Sequence, residues 1–149
     1  MDDVLVWSQS LDEYSGDATL CGADDGDALV PVTIEISHVD ATARIRFATT
    51  LDSDDLSWGL KSVAVYASTP AVNIAYQTNF EDVGAWIFDG ADPEVTVCGE
   101  SNVLGGYGVL DYDDSVTLFL GDLIPHSSMT IEFNFVRLTR GTVKVHGSM

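Results

Sequence analysis

The sequence predicts an all-β fold, a jelly-roll-like antiparallel β-sandwich. Short segments alternate apolar and polar residues with a period of two, the pattern of strands that bury one face. The alternation is clearest over residues 41–48 and 128–136, where Ile131 and Phe133 flank Glu132. Turns rich in Gly and Asp separate these segments, and no segment has the pattern of an amphipathic helix. About nine short strands at regular spacing are typical of a sandwich or jelly roll.

Each strand is predicted from one of two patterns. Residues 41–48 and 128–136 show strict alternation, and the other strands are short apolar runs bounded by turns. In chain order the predicted strands are Val4–Ser8, Val30–Ser37, 41–48, Leu60–Tyr66, Val72–Gln77, Val95–Cys98, Val116–Leu120, 128–136 and Thr142–His146. The Gly- and Asp-rich residues 22–27 and the glycine-rich residues 105–108 are predicted to be turns.

Acidic residues dominate the charge of the chain. The net charge is −18, and Asp outnumbers Glu by 18 to 6. Such a field repels DNA, RNA and anionic membranes, so neither nucleic acid nor a membrane surface is expected as a partner. The sequence as given has no apolar run long enough to span a membrane and no secretory leader, and we expect either that a leader was removed or that the chain is a fragment. The acidity suits calcium binding, a saline habitat or simple solubility, and alone it identifies no ligand.

Two blocks of short motifs stand at opposite ends of the chain. The first runs from Val4-Leu-Val-Trp-Ser through Leu20-Cys-Gly to Ser57-Trp-Gly; the second runs from Cys98-Gly through Leu104-Gly-Gly-Tyr to Leu123-Ile-Pro-His and Thr130–Phe135. Together they resemble a β-sandwich module that is repeated in large extracellular surface proteins of ciliates and other protists. In that module the second block comes first. The two halves therefore stand in permuted order here, as though one domain had been cut in the middle.

The resemblance implies a division of the chain into three segments. Residues 1–66 correspond to the C-terminal half of the module, and residues 98–149 correspond to its N-terminal half. Residues 67–97 form a connector, and their apolar side chains predict that the connector packs against the rest of the protein instead of forming a flexible linker. Within it, Gly84-Ala-Trp resembles the opening of a further copy. The total is one domain's worth of chain.

The resemblance also implies that Cys21 and Cys98 pair, since the matching cysteines belong to one module. The bond forms within the chain if the chain folds as a circular permutant. It joins two molecules if one molecule's half-domain is completed by the other half of its neighbour. Two free thiols are the alternative to both arrangements.

The function implied is that of a non-enzymatic extracellular or cell-surface structural protein, a subunit that assembles head to tail with copies of itself. Half a sandwich leaves sheet edges open, and a complementary half supplied by a neighbour closes them. A self-contained permuted monomer is the simplest competing interpretation, because the termini of sandwiches often lie close together. A third interpretation is that the chain is an arbitrary slice through a tandem array.

Calcium is the one cofactor that the sequence suggests. Asp residues cluster on predicted turns and offer the oxygen ligands that calcium prefers. The family's calcium-side motif is matched in part, with Asp54 and Asp55 as the candidate ligands. Leu56 stands where the family usually has Glu, and Arg137 begins a segment that replaces the family's Asp-Ser-Trp-Asp. Both departures weaken the prediction of a calcium site.

A monomeric, lectin-like carbohydrate-binding module is the alternative function. Jelly-roll sandwiches often bind sugars on an exposed aromatic platform, and four residues are candidates for it: Trp7, Trp58, Trp86 and Tyr107. Trp7 lies in an alternating strand and Trp58 begins a strand, so packing in the core is the alternative role for these two residues. Catalysis is not expected, because His38, His126 and His146 occur in no catalytic or zinc-binding motif. His126 follows Pro125 in the family's Pro-His turn, where a structural hydrogen bond is expected.

Overall fold

The computed structural model describes residues 4–10, 28–49, 57–68, 72–98, 101–110, 114–137 and 142–147. The regular elements in this part of the chain are all strands, which confirms the predicted all-β class. No helix long and apolar enough to cross a membrane occurs among these residues. In chain order the strands are β1 Val4–Ser10, β2 Ala28–Ser37, β3 Ala43–Thr49, β4 Trp58–Ser68, β5 Val72–Thr78, β6 Ile87–Asp89, β7 Val95–Cys98, β8 Ser101–Leu110, β9 Ser115–Leu120, β10 Ser128–Arg137 and β11 Thr142–Gly147.

The strands form two antiparallel sheets that pack into a sandwich. One sheet has five strands in the order β1-β11-β3-β9-β6. The other has six strands in the order β2-β10-β4-β8-β7, and β5 also pairs with β4. All the described pairings are antiparallel.

The core lies between the sheets and is built from the alternating strands. In β3 the buried Ala43, Ile45 and Phe47 alternate with partly exposed residues. The same alternation buries one face of β10 and one face of β2. The largest fully buried side chains come from both sheets and from the loop after β5: Trp58, Phe47, Phe80, Phe135, Ile45, Leu60, Leu104, Leu110, Leu118, Met129 and Ile131. Burial of this apolar area is the main force that holds the sheets together.

The nine predicted strands are all present, with ends that differ from the prediction by a few residues. Two strands were not predicted. β6 has only three residues, all of which pair with β9. A segment of this length is too short to show an alternating pattern in the sequence. β8 was missed because residues 105–108 were predicted to be a turn.

The prediction of a turn at residues 105–108 is wrong, because these residues lie inside β8. Gly105 and Gly106 both have positive φ values, 81° and 95°. Opposite them, Trp58 pairs with Leu110 while the next residue, Gly59, pairs with Gly105. The glycines therefore form a wide bulge and not a chain reversal, since glycine permits a conformation that other residues avoid. The other predicted turn, residues 22–27, lies outside the described residues.

Candidate functional site

The segments 1–66 and 98–149 interdigitate strand by strand. β1 to β4 belong to the first segment, and β8 to β11 belong to the last. In the five-stranded sheet the order β1-β11-β3-β9 alternates between the two segments, and in the six-stranded sheet β2-β10-β4-β8 alternates in the same way. Each segment alone therefore leaves gaps that a strand of the other segment fills. Within this one chain the two segments fill each other's gaps.

The connector contributes strands only at the margins of the sheets. β5 pairs with β4, a strand of the first segment. β6 pairs with β9, and β7 pairs with β8, both strands of the last segment. The chain therefore passes from one set of strands to the other between the end of β5 and the start of β6.

Residues 81–85 form this passage, and we call them the hinge. Its Glu81, Asp82, Gly84 and Ala85 are exposed. The backbone hydrogen bond from Trp86 to the Val83 carbonyl is long, at 3.4 Å.

The residues at either end of the hinge are firmly placed. Phe80 is fully buried although its φ is 59°, a conformation unfavourable for a bulky residue. Trp86 is also buried, and its indole N–H donates to the Tyr76 hydroxyl at 2.9 Å. The rings of Phe80 and Trp86 lie 5.7 Å apart, so they anchor the two ends of the hinge in one cluster. The hinge is thus a short exposed segment between two buried anchors, the first of them strained.

The two motif blocks of the sequence meet where Gly59 of β4 contacts β8. A Cβ atom at Gly59 would lie 2.7 Å from the Leu104 carbonyl oxygen and 2.9 Å from the Gly106 nitrogen, and it would collide with the Val103 side chain. Only glycine fits this close approach of two backbones. The Ser-Trp-Gly motif of the first segment and the Leu-Gly-Gly-Tyr motif of the last are therefore complementary surfaces of one contact.

Aromatic rings join the two segments in the centre of the sandwich. The edge of one ring meets the face of the other between Phe47 of β3 and Phe133 of β10, with centroids 5.0 Å apart. The rings of Trp58 in β4 and Phe135 in β10 stack at 5.8 Å. Trp86 of the connector packs against Phe47, with ring centroids 5.6 Å apart. Such pairs add about 0.5–1.5 kcal/mol each beyond the apolar area that they bury.

A pair of buried histidines joins the segments at one end of the six-stranded sheet. His38 follows β2 and His126 precedes β10, and their rings stack with centroids 5.0 Å apart. His126 Nδ1 lies 2.6 Å from the Ile124 carbonyl oxygen, and His126 Nε2 lies 2.7 Å from His38 Nδ1. Because a carbonyl oxygen only accepts, His126 carries its proton on Nδ1. When both rings are neutral, His126 Nε2 then accepts from His38 Nδ1–H.

These tautomers leave His38 Nε2 unprotonated, and this buried atom has no hydrogen-bond partner. Burial lowers the pKa of His38, and the neighbouring His126 lowers it further, whereas Asp40 and the backbone of Thr42 raise it. Burial therefore favours the neutral form of His38. The structural hydrogen bond expected for His126 is confirmed. Its partner His38 was not predictable from the sequence, because the two histidines are far apart along the chain.

The structure does not support an aromatic platform at Trp58 or Trp86. The relative exposures of these side chains are 0% and 4%, and both pack in the core. The expectation that they bind sugar is wrong for these two residues, because a ring without an exposed face offers no surface for stacking. Trp7 lies within β1 and Tyr107 within β8, but their side chains fall outside the described part of the structure.

The predicted disulfide and calcium site remain predictions. Cys98 ends β7, at the margin of the six-stranded sheet. Cys21, Asp54 and Asp55 lie outside the described residues. Within the described ranges, no group of three or more His, Cys, Asp or Glu side chains is arranged to hold a metal ion.

Comparisons with protein-family models, with curated proteins and with solved structures find no match to this chain.

Proposed function

We propose that this protein is a non-enzymatic structural subunit that assembles head to tail with copies of itself by exchanging half-domains. The observation that carries the proposal is the alternation of the segments 1–66 and 98–149 through both sheets. In the closed chain the two segments pair with each other. In the assembly, the first segment of one molecule pairs with the last segment of the next. The contacts are the same in both forms.

The alternation supports exchange because either segment alone leaves strands without their neighbours in both sheets. Withdrawal of the last segment exposes both edges of β3, the β10 edge of β4 and residues 58–60 on the other edge of β4, and unpaired edges readily pair with another chain. The last segment of a neighbour supplies the same strands in the same register. Since this contact joins different surfaces of the two molecules, it propagates as an open filament unless it closes into a ring.

The hinge supports the proposal on separate grounds. A short connection under strain favours domain exchange, because the open form relieves the strain at no cost in contacts. The positive φ of Phe80, 59°, carries a strain of about 1–3 kcal/mol. Glu81 and Asp82 are already exposed, so straightening of the hinge moves no carboxylate out of a buried site.

The remaining features of the proposal follow from the sequence. The protein acts outside the cell or on its surface, where an oxidising environment permits a bond between Cys21 of one molecule and Cys98 of the next. The net charge of −18 keeps the exterior of the assembly soluble. Calcium binding at Asp54 and Asp55 is an optional addition and not a requirement of the assembly.

Lengthening the hinge tests the proposal. A Gly-Ser-Gly-Ser insertion between Val83 and Gly84 relieves the strain of the closed chain, so we expect fewer filaments and more monomer. The same insertion between the exposed Gly121 and Asp122 is the matched control, and it should leave the filaments unchanged. Negative-stain electron microscopy and sedimentation velocity measure both outcomes. Wild-type protein that stays monomeric at every concentration contradicts the proposal, as do filaments that are indifferent to the hinge insertion.

A non-reducing gel of the same samples tests the role of the cysteines. A ladder of oligomers that collapses on reduction, and that is absent from Cys98→Ser protein, is expected if the bond joins successive molecules. A compact monomer with a reducible internal bond supports the permuted monomer instead. Filaments of Cys98→Ser protein as stable as those of the wild type remove the disulfide from the mechanism but leave strand exchange in place.

A further inference from the structure

A polar groove crosses the outer face of the six-stranded sheet, on the side away from the core. Cross-strand pairing places Thr33, Glu132, Ala64 and Gln77 in one row across β2, β10, β4 and β5. Ala64 lies in the middle of this row, and its side chain is only a methyl group. The row is therefore lowest at its centre. A depression of about 350 Å³ lies over it.

A bulge in β4 lies at one side of the groove, which Ser62 and Val63 line. Glu132 pairs with Ala64 and Asn134 pairs with Lys61, so Phe133 of β10 faces two residues of β4. Ser62, one of these two, has a φ of 56°. Bulges and residues with such positive φ values are concentrated at functional sites, where they redirect side chains. Here the Ser62 hydroxyl donates to Asn79 Oδ1 at 3.2 Å.

That hydrogen bond fixes which atom of the Asn79 side chain faces a ligand as a donor. Because Oδ1 accepts from Ser62, the Nδ2 amide is left as the donor of this side chain. Ser62 and Asn79 also line a second depression of about 300 Å³, which continues towards Ser101 and Asn102. The two depressions therefore form one elongated groove that meets at Ser62 and Asn79.

The lining of the groove indicates the chemistry of its ligand. Gln77, Asn79 and Asn134 carry amides that both donate and accept, which matches hydroxyl groups that do the same. Tyr66 adds an aromatic ring beside them, and such a ring packs against the apolar face of a sugar. Glu132 is the one charged residue among those that line the first depression, and Lys61 and Glu81, which are opposite in charge, line the second. No charged residue occurs in the sequence between Lys61 and Glu81, although 20% of the chain is charged.

The centre of the groove is unsuited to recognition by strand addition. It lies over β10 and β4, which pair on both sides, and the ends of the groove reach the outer strands β2 and β5. The backbone groups of β10 and β4 are engaged in the sheet, so a ligand there is recognised by side chains alone, unlike a peptide added at an edge. The net charge of −18 disfavours acidic ligands. We propose that this groove binds a short neutral oligosaccharide. The groove is separate from the tryptophans of the core, and Gln77 and Asn134, which the experiment replaces, lie outside the hinge.

Isothermal titration calorimetry of the full chain tests this site. The probes are neutral hexose tri- and tetrasaccharides and their sialylated counterparts. Saturable binding of at least one neutral oligosaccharide is expected, and we expect a Gln77→Ala, Asn134→Ala double variant to weaken it by about tenfold or more. Asn73→Ala is the matched control, because Asn73 is exposed on the same β5 but does not line the groove.

Urea unfolding of each variant separates loss of binding from loss of the fold. If the double variant unfolds, Gln77→Ala alone provides the test, because Gln77 is exposed on a marginal strand. Three outcomes overturn the proposal: no binding of any neutral oligosaccharide at millimolar concentration, equal binding by folded groove variants and wild type, or preference for the sialylated probes. None of these outcomes bears on filament formation, which is measured separately.

Discussion

The segments 1–66 and 98–149 meet in the centre of the sandwich through aromatic rings and a glycine, whereas at one end of the six-stranded sheet they meet through two histidines. In the centre, Phe47 and Phe133 contact edge to face, and Gly59 lies against the backbone of β8. At the end, His38 and His126 share a hydrogen bond at 2.7 Å. The central contact depends on shape and has no titratable group among these residues. The end contact depends on protonation, so the two parts of one interface respond to different conditions.

The largest effect is expected from Phe133→Ala in the centre. Phe133 is 2% exposed, and removal of its ring leaves a cavity against Phe47, at a cost of about 3–5 kcal/mol in the free energy of unfolding. Phe119→Ala is the matched control, since Phe119 is 53% exposed. The Arg44 Cζ atom lies over the Phe119 ring, 6.0 Å from the ring centroid. The expected cost of Phe119→Ala is about 1 kcal/mol or less. Equal urea midpoints for the two variants would show that the central rings do not hold the segments together.

Gly59→Ala is expected to have the next largest effect. The added methyl group collides with the Val103 side chain and lies under 3 Å from two backbone atoms of β8, at 2.7 and 2.9 Å. Overpacking of this kind costs about 1–3 kcal/mol. Gly121→Ala adds the same methyl group where no atom lies within 4 Å, and it should change the urea midpoint little. A Gly59→Ala protein as stable as Gly121→Ala would contradict the close approach of β4 and β8.

The smallest effect is expected at the histidines, where it depends on pH. The folded-state pKa of His38 is lowered, so between that value and the unfolded value of about 6.5 the unfolded chain binds more protons. This contribution to stability is fully present above the unfolded pKa and is lost as the pH falls towards the folded pKa. We therefore expect the urea midpoint to fall from pH 7.5 to pH 5.5, and His38→Gln to reduce that fall.

His146→Gln is the control for this comparison, because it removes a histidine from β11 and leaves the His38–His126 pair intact. It should retain the pH dependence of the wild type. An identical fall in the His38→Gln and His146→Gln proteins would mean that other groups set the pH response.

The fold class and most strands were predictable because the alternation is a local signal. The buried face of β10 is predictable from the local alternation of Ile131, Phe133 and Phe135 alone. The bulge of β8 was not predictable, since Gly105 and Gly106 have the same local signature in a turn as in a strand. Only the partner strand distinguishes the two cases, through the pairing of Gly59 with Gly105.

The site residues were harder to predict for the same reason. Trp58 and Trp86 are the residue type that sugar-binding platforms use, but both side chains are buried. Their burial results from the packing of the two sheets, which the local sequence does not reveal. The groove depends on Ala64 and Gln77 being neighbours across β4 and β5. Neither residue stands out in the sequence. The uncharged stretch between Lys61 and Glu81 was the available signal, and its meaning required knowledge of which face the stretch occupies.

The alternation of segments also has a consequence for the order in which the molecule is made. Leu29 pairs with Val136 and Val4 pairs with Gly147, so the sheets cannot close until the ribosome has finished the last strands. Pairings so distant along the chain form slowly, and unpaired strands are exposed in the meantime. Under the proposed exchange of half-domains, the new N-terminal segment is free during that interval to pair with the C-terminal segment of another molecule. In that proposal the local density of synthesis, as well as the equilibrium, decides whether a molecule closes on itself or joins its neighbours.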